Sequence, residues 1–275
     1  MVQGAHSSGS AAVVVTFFPH PAKVLGRRSL AFELTTPDER AKILNDLGVD
    51  FVFTLTFSQE MANTSAADFM ILLKKHLGLE RISIGHDFAL GRGREGTETV
   101  LRQLGNELDY QVDVVDAVQI DGEPISSTRI RSLLQLGEVR LAAQLLGRPY
   151  TLSGTVVPGD QRGRMIGIPT ANIEPDENKL IPLSGVYACK ARVLPDLSGA
   201  EFQAAVNIGI RPTFDGNSTK IHVEAHLLGF SSDLYGKILE LDFIEHLRGE
   251  QRFSDVQALI HQIQADIQRT KGLVR

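Results

Sequence analysis

Two folds in series are predicted by this chain, an α/β domain followed by a mostly β domain with a final helix. Three observations carry the prediction. A length of 275 residues favours two domains over one. The first half alternates short β-branched runs with helical stretches, which implies a parallel sheet covered on both faces. From Tyr150 that alternation stops. Short β-like runs separated by turns rich in Gly, Pro, Asp and Asn take over, a spacing that suits an antiparallel barrel.

In the first half, VVVTFF (Val13–Phe18) reads as a buried parallel strand. A helix is predicted over Pro37–Leu47, where Thr36 caps, Pro37 takes the first position, Glu39 completes a capping box and Gly48 stops the helix. FVFTLTF (Phe51–Phe57) is the next strand. Ser65 caps a helix running to His76, with Asp68 at the third position and Gly78 at the stop. Strand Arg81–Gly85, helix Glu98–Leu108 and strand Tyr110–Val115 follow, then helices Thr128–Leu136 and Glu138–Leu146. In the second half, β-runs fall at Thr151–Val157, Gly185–Val193, Gln203–Asn207, Lys220–Leu228 and Lys237–Phe243. A last helix is expected from Ser254, with Gln257 as its third-position partner. Val256, Leu259, Ile260, Ile263 and Ile267 form one apolar stripe, predicted to pack on the barrel. The domains are therefore expected at 1–147 and 148–275.

Composition excludes several classes. Hydrophobic content of 43% and charged content of 22% are those of an ordinary soluble globule. A net charge of −5 gives no support to a general nucleic-acid binder. The single cysteine, Cys189, rules out an intrachain disulfide and a multi-cysteine metal site, and reads as a small core hydrophobe. No apolar run approaches the ~18 residues of a membrane span. Met1–Ala12 lacks the features of a signal peptide. A cytoplasmic protein acting on small molecules is expected, with neither nucleic acid nor membrane as partner.

The segment Gly154–Asn172, GTVVPGDQRGRMIGIPTAN, places four glycines, two arginines and a PTAN turn in nineteen residues. Glycine lets backbone approach a ligand, and arginine binds phosphate through a bidentate fork. Thr170 and Asn172 offer neutral oxygens, which suit magnesium. The segment reads either as a nucleotide site without a Walker loop or as a Gly-rich hairpin that only turns the chain.

Gly91–Gly96 satisfies G-x-G-x-x-G. A dinucleotide fingerprint, however, follows a strand directly in the first βα turn. Here HDFAL intervenes after the third visible strand, so a dehydrogenase is not expected. ISSTRIR (Ile125–Arg131) is a capped helix start with hydroxyls and two arginines, either an anion site or an ordinary cap.

G-x-V-x-x-G-x-x-x-G-R-x-x-G-x-P-T-A-N resembles the opening of the riboflavin kinase module, matched at Gly154, Val156, Gly159, Gly163, Arg164, Gly167, Pro169, Thr170, Ala171 and Asn172. GVY (Gly185–Tyr187), VNIGIRPT (Val206–Thr213), VEAHLL (Val223–Leu228), LYG (Leu234–Gly236) and LRGEQRF (Leu247–Phe253) follow in order. SSTRIR resembles the second phosphate motif of the HxGH nucleotidylyltransferases. FFPHP (Phe17–Pro21) and GHDFALGRGREG (Gly85–Gly96) look like the flavin-side and adenine-side segments of bacterial FAD synthetase. The whole chain resembles the bifunctional riboflavin kinase/FAD synthetase family.

The resemblance implies a Rossmann-like nucleotidylyltransferase domain followed by a six-stranded riboflavin kinase barrel. It implies that ATP and riboflavin react to FMN and ADP with Mg2+, and that FMN is adenylylated to FAD by the intact gene product. Glu224 aligns with the catalytic base. Gly159, Gly163, Arg164, Gly167, Thr170 and Asn172 would bind ATP, with Thr170 and Asn172 also at the magnesium. Arg248 and Phe253 would shape the flavin pocket, Phe253 by stacking on the ring or by plain core packing. Arg211 would either contact phosphate or pin its loop. In the first domain His20, Asp87, Ser127, Thr128 and Arg131 would serve the adenylyltransferase. Some members of the family associate, so a homo-oligomer is compatible.

Two departures from the family pattern stand out. The family opens with a strand leading into G-x-F-D-G-x-H-x-G-H, whose histidines stabilise the triphosphate. Here His6 is followed by SSG, and Met1–Ala11 resembles the helix after that motif. The expectation is an N-terminally truncated chain whose parallel sheet lacks a middle strand, leaving neighbouring backbone groups unpaired. Phe18 stands where the family more often has an acidic residue. FAD synthesis by this polypeptide is therefore expected to be negligible. Two further readings are a flavin- or nucleotide-binding protein with a degenerate first domain, and a flavin-dependent oxidoreductase barrel. The first gives no reason for an intact Thr170, Asn172 and Glu224, and the second none for the PTAN site.

Overall fold

The computed structural model describes residues 1–26, 33–159, 162–195, 199–212 and 219–274, and nothing of the side chains of residues 162, 211, 212, 219 and 220. The chain divides into two compact units, Met1–Pro124 and Ile125–Arg275.

In the first unit α1 (Val2–Ser7), β1 (Val13–Phe18), α2 (Pro21–Val24), α3 (Pro37–Asp46), β2 (Phe51–Thr56), α4 (Gln59–Ala62) and α5 (Ala66–Leu77) come in that order. They are followed by β3 (Arg81–Gly85), α6 (Glu98–Leu108), β4 (Gln111–Val115) and the short hairpin β5 (Gln119–Ile120) and β6 (Glu123–Pro124). Helix starts follow the caps in the sequence. Thr36 accepts from the Glu39 N–H while the Glu39 carboxylate accepts from the Thr36 N–H. Ser65 accepts from the Asp68 N–H, and Gly78 closes α5 in the left-handed conformation.

The strands do not form one sheet. Among the described residues β1 pairs in parallel with β2, β3 pairs in parallel with β4, and no ladder joins the two pairs. Side chains, not hydrogen bonds, unite them. Val15, Phe17 and Leu55 from one pair and Ile82, Ile84, Val112 and Val114 from the other meet Phe69 and Met70 of α5 and Leu101 of α6 in one apolar cluster. β1 is consequently half-buried along its whole length rather than fully buried. On β2, Phe51 and Phe53 stand exposed with their rings stacked 6.5 Å apart.

The second unit opens with α7 (Ser127–Gln135) and α8 (Val139–Leu146). β7 (Tyr150–Val157), α9 (Arg162–Met165), β8 (Ala171–Pro175), β9 (Gly185–Leu194), β10 (Glu201–Pro212), β11 (Thr219–Leu227), β12 (Ile238–Arg248) and α10 (Val256–Leu273) complete it. Its strands close into a six-stranded antiparallel barrel in the order β10-β11-β8-β7-β12-β9. β8 is the strand that sequence reading took as a turn. The PTAN segment does not turn back but enters β8, with Ala171 and Asn172 already in the ladder.

Alternate residues fill the barrel. Val223, Ala225 and Leu227 of β11 and Ala204, Val206 and Ile208 of β10 point inward and are buried. Tyr187 meets Phe243 edge to face at 5.1 Å, and Tyr150 lies 6.4 Å from Phe243. Cys189 sits in β9 opposite Phe243, completely buried, and burial pushes its thiol well above the usual range. It is the core hydrophobe expected.

The final helix differs from expectation in two ways. It starts at Val256, because the Asp255 carboxylate, not Ser254, accepts from the Ala258 N–H and so occupies the cap. Its most buried positions are Asp266 and Thr270, while Val256 is 57% exposed and the other members of the apolar stripe are half-buried.

Candidate functional site

Strand alternation puts a second set of residues on the outside of the barrel. Asn172 of β8 is in register with Glu224 of β11, and Glu224 with Asn207 of β10. Inward neighbours flank each of them, so an amide, a carboxylate and an amide form one outward row across adjacent strands roughly 5 Å apart. Asn172 and Glu224 are half-buried, and Asn207 is exposed. At the Asn207 end, a Cβ placed on Gly209 would stand 3.0 Å from Glu250 Oε1 and 3.4 Å from Asn207 Nδ2, so these two polar groups converge over a glycine floor.

The Gly-rich loop lies beside the Asn172 end. A Cβ on Gly159 would fall 2.0 Å from Asn172 Nδ2, so the Asn172 amide can hold this place only while position 159 is glycine. Gly163 is pressed on the Ile168 carbonyl, and its missing Cβ would be 3.4 Å from Thr170 Oγ1. The Ile168 N–H donates back to the Gly163 carbonyl at 2.8 Å. Arg164 is exposed on α9, and Gly167 adopts φ 77° just after it. Asp160 and Gln161 within the loop, Thr213, and the Arg211 side chain lie outside the described residues. Sequence therefore found Gly159, Gly163, Thr170, Asn172 and Glu224, and the fold brings them to one outer face. Asn207 and Glu250 were not singled out, because a strand asparagine and a loop glutamate carry no signal beyond the blocks containing them.

Arg248 and Phe253 are close together, and Arg248 is engaged with the protein. The Arg248 guanidinium binds Asp266 of α10 through Nε at 3.0 Å and Nη2 at 2.8 Å and donates from Nη1 to the Gly249 carbonyl. It also lies 5.8 Å from the centre of the Phe253 ring. Asp266 is 3% exposed, and Gln262 donates to its other oxygen. Arg248 thus braces the LRGEQRF loop against the final helix, and Phe253 is covered by that guanidinium. The signal that could have revealed this was an aspartate on an otherwise apolar helix face.

In the first unit His20 caps α2 and accepts from the Ala22 N–H through Nδ1. Asp87 follows β3, and its carbonyl accepts from Arg94. Ser127, Thr128 and Arg131 stand in the first turns of α7, which belongs to the second unit, and Ser126 caps that helix. Gly91 and Gly96 of the G-x-G-x-x-G segment serve packing. Cβ atoms on Gly91 and Gly96 would stand 2.6 Å from the Ala66 nitrogen and 2.8 Å from its Cβ, at the start of α5, where Glu95 also accepts from the Ala66 N–H.

Among the described residues no group of three or more His, Cys, Asp or Glu converges as a metal site, and no helix is long and apolar enough to cross a membrane.

Comparison with known proteins assigns both units. The riboflavin kinase family profile matches residues 146–274, and the FAD synthetase profile matches residues 1–129. A closed barrel of the first kind joined to an α/β unit of the second defines a two-domain enzyme of flavin nucleotide synthesis. The bifunctional riboflavin kinase/FMN adenylyltransferase of Pseudomonas fluorescens is 35% identical over 96% of this chain and 83% of its own length. That of Listeria monocytogenes is 36% identical over 98% and 84%. The crystal structure of a protein named as a macrolide-efflux protein from Streptococcus pneumoniae superposes with a TM-score of 0.87 at 30% identity, covering 98% of this chain and 86% of that one. This chain belongs to the bifunctional riboflavin kinase/FMN adenylyltransferase family.

Proposed function

We propose that the outer face of the barrel phosphorylates riboflavin with ATP, and that Glu224 is the base. The observation that carries this reading is the outward row Asn172–Glu224–Asn207 beside the Gly159–Gly167 loop. The Glu224 carboxylate takes the proton of the terminal ribityl hydroxyl as its oxygen attacks the γ-phosphorus. The new O–P bond forms while the bond to the ADP oxygen breaks. Asn207 and Glu250 suit the hydroxyl-rich chain of the acceptor, and the glycine loop with exposed Arg164 suits the phosphates.

Thr170 and Asn172 fit a magnesium ion that arrives on the nucleotide. Their donors are neutral oxygens, few in number, and held in place by Gly163 and Gly159, which suits an ion that keeps most of its waters and its phosphate ligands. Bound there, the ion would neutralise charge on the transferring phosphoryl group.

For the first unit, we infer adenylylation of FMN to FAD, on the match of residues 1–129 to the FAD synthetase profile. The test is a chromatographic assay with riboflavin, ATP and magnesium that resolves FMN from FAD. Wild-type protein is expected to yield FMN and then FAD. Glu224→Gln is expected to lose turnover by about 10²–10⁴-fold while still binding riboflavin. Retained turnover in Glu224→Gln would remove the base assignment, and FMN with no FAD would overturn the reading of the first unit.

A further inference from the structure

His226 follows Glu224 by two residues and shares its outward face. It belongs to the VEAHLL block. In the structure its Nδ1 lies 2.8 Å from the Pro169 carbonyl oxygen. A carbonyl only accepts, so Nδ1 carries the hydrogen, in either the neutral Nδ1–H tautomer or the imidazolium.

Its position in the ladder gives the bond its purpose. Main-chain pairing of β8 with β11 ends at Ala171 opposite Ala225. Two residues further out, Pro169 has no N–H, and its carbonyl is the only polar handle its backbone offers. His226 grips that handle from β11. The Pro169 carbonyl and the Thr170 nitrogen belong to one planar peptide unit, so fixing the carbonyl fixes the direction in which Thr170 leaves the chain. On the other side, the Ile168 N–H bond to Gly163 holds the same segment against the loop. Thr170 thus sits between two anchors, one of which is a side chain of the strand that carries Glu224.

We propose that His226 is a positioning residue of the kinase, holding Thr170 in place for the magnesium–nucleotide complex. The proposal rests on the reading that Thr170 and Asn172 serve that complex. It couples the strand with the base to the segment with the metal donors, so the two halves of the site keep their spacing.

The experiment is steady-state kinetics of the full chain with three variants, His226→Phe, His226→Asn and Thr170→Val. Phenylalanine keeps the ring without the donor. Asparagine places an amide N–H where Nδ1 stood. Loss of one such bond is expected to raise KM for MgATP about tenfold in His226→Phe. KM for riboflavin should stay within about twofold. His226→Asn should recover most of the loss, which a merely structural role would not predict. The proposal is overturned if His226→Phe has wild-type KM for MgATP, or if His226→Asn is as impaired as His226→Phe. Thr170→Val separates the two levels. If it raises KM for MgATP while His226→Phe does not, only the positioning role falls. If it has no effect, the nucleotide reading of Thr170 falls, and with it any action of His226 through that residue. Should His226→Phe fail to fold, the comparison of His226→Asn with His226→Ala decides the same point.

Discussion

Arg248→Met is expected to destabilise the barrel unit severely while leaving flavin recognition to other groups. The guanidinium makes two bonds of 2.8 and 3.0 Å to Asp266, and the side chains are 14% and 3% exposed. Removing the cation leaves a buried carboxylate that, among the described residues, keeps the Gln262 side-chain amide as its donor. Breaking a buried pair from one side typically costs ~3–5 kcal/mol. The lower end applies here, because the loop can open to let water reach Asp266. About 3 kcal/mol in a unit of this size corresponds to a fall in Tm of roughly 6–12 °C. The assay is thermal and urea unfolding of Arg248→Met, Asp266→Leu and the double variant. The double variant should regain much of the loss, since a pair replaced by apolar groups leaves no orphan charge. Riboflavin affinity at a temperature where every variant is folded should change less than stability does. If Arg248→Met unfolds like wild type but binds riboflavin at least tenfold more weakly, the brace is not the residue's role, and it contacts the flavin directly.

Two other perturbations follow. Gly159→Ala puts a methyl group 2.0 Å from the Asn172 amide nitrogen, so the amide must swing away; KM for MgATP should rise about tenfold or more while Tm moves little, because the clash is on the outer face, and unchanged MgATP kinetics would separate Asn172 from nucleotide binding. Native Cys189, fully buried with its thiol pushed up by burial beside Asp242, should resist alkylation even near pH ~9, where an ordinary thiol reacts, whereas rapid native labelling would show that β9 opens.

How much was legible in the sequence depended on whether the deciding interaction was local. Caps at Thr36 and Ser65 and the stop at Gly78 are satisfied within a few residues, and they fall where the sequence puts them. Barrel strands announced themselves through β-branched runs, but β8 did not, because Pro169, Thr170 and Asn172 look like turn formers until β7 and β11 supply the ladder. Asp266 stood out only as an aspartate on the apolar face of the last helix, and its partner could not be read because it lies eighteen residues back on β12. The nucleotide-side residues were legible only as a family pattern, since a lone glutamate at Glu224 is an ordinary strand residue by composition.

The inside and the outside of β11 are interleaved: Val223, Ala225 and Leu227 support the barrel while Glu224 and His226 face outward, where the proposed kinase site lies. A shift of one residue in the pairing would exchange the two sets, sending a carboxylate into the interior and alanine to the outer face. Closure of the barrel forbids that slip, because no strand can move without dragging both neighbours around the ring. Folding to the correct register and assembling the active site are therefore a single event. A misregistered chain would be inactive and badly packed together, so protein quality control that senses only packing would also remove the catalytic failures.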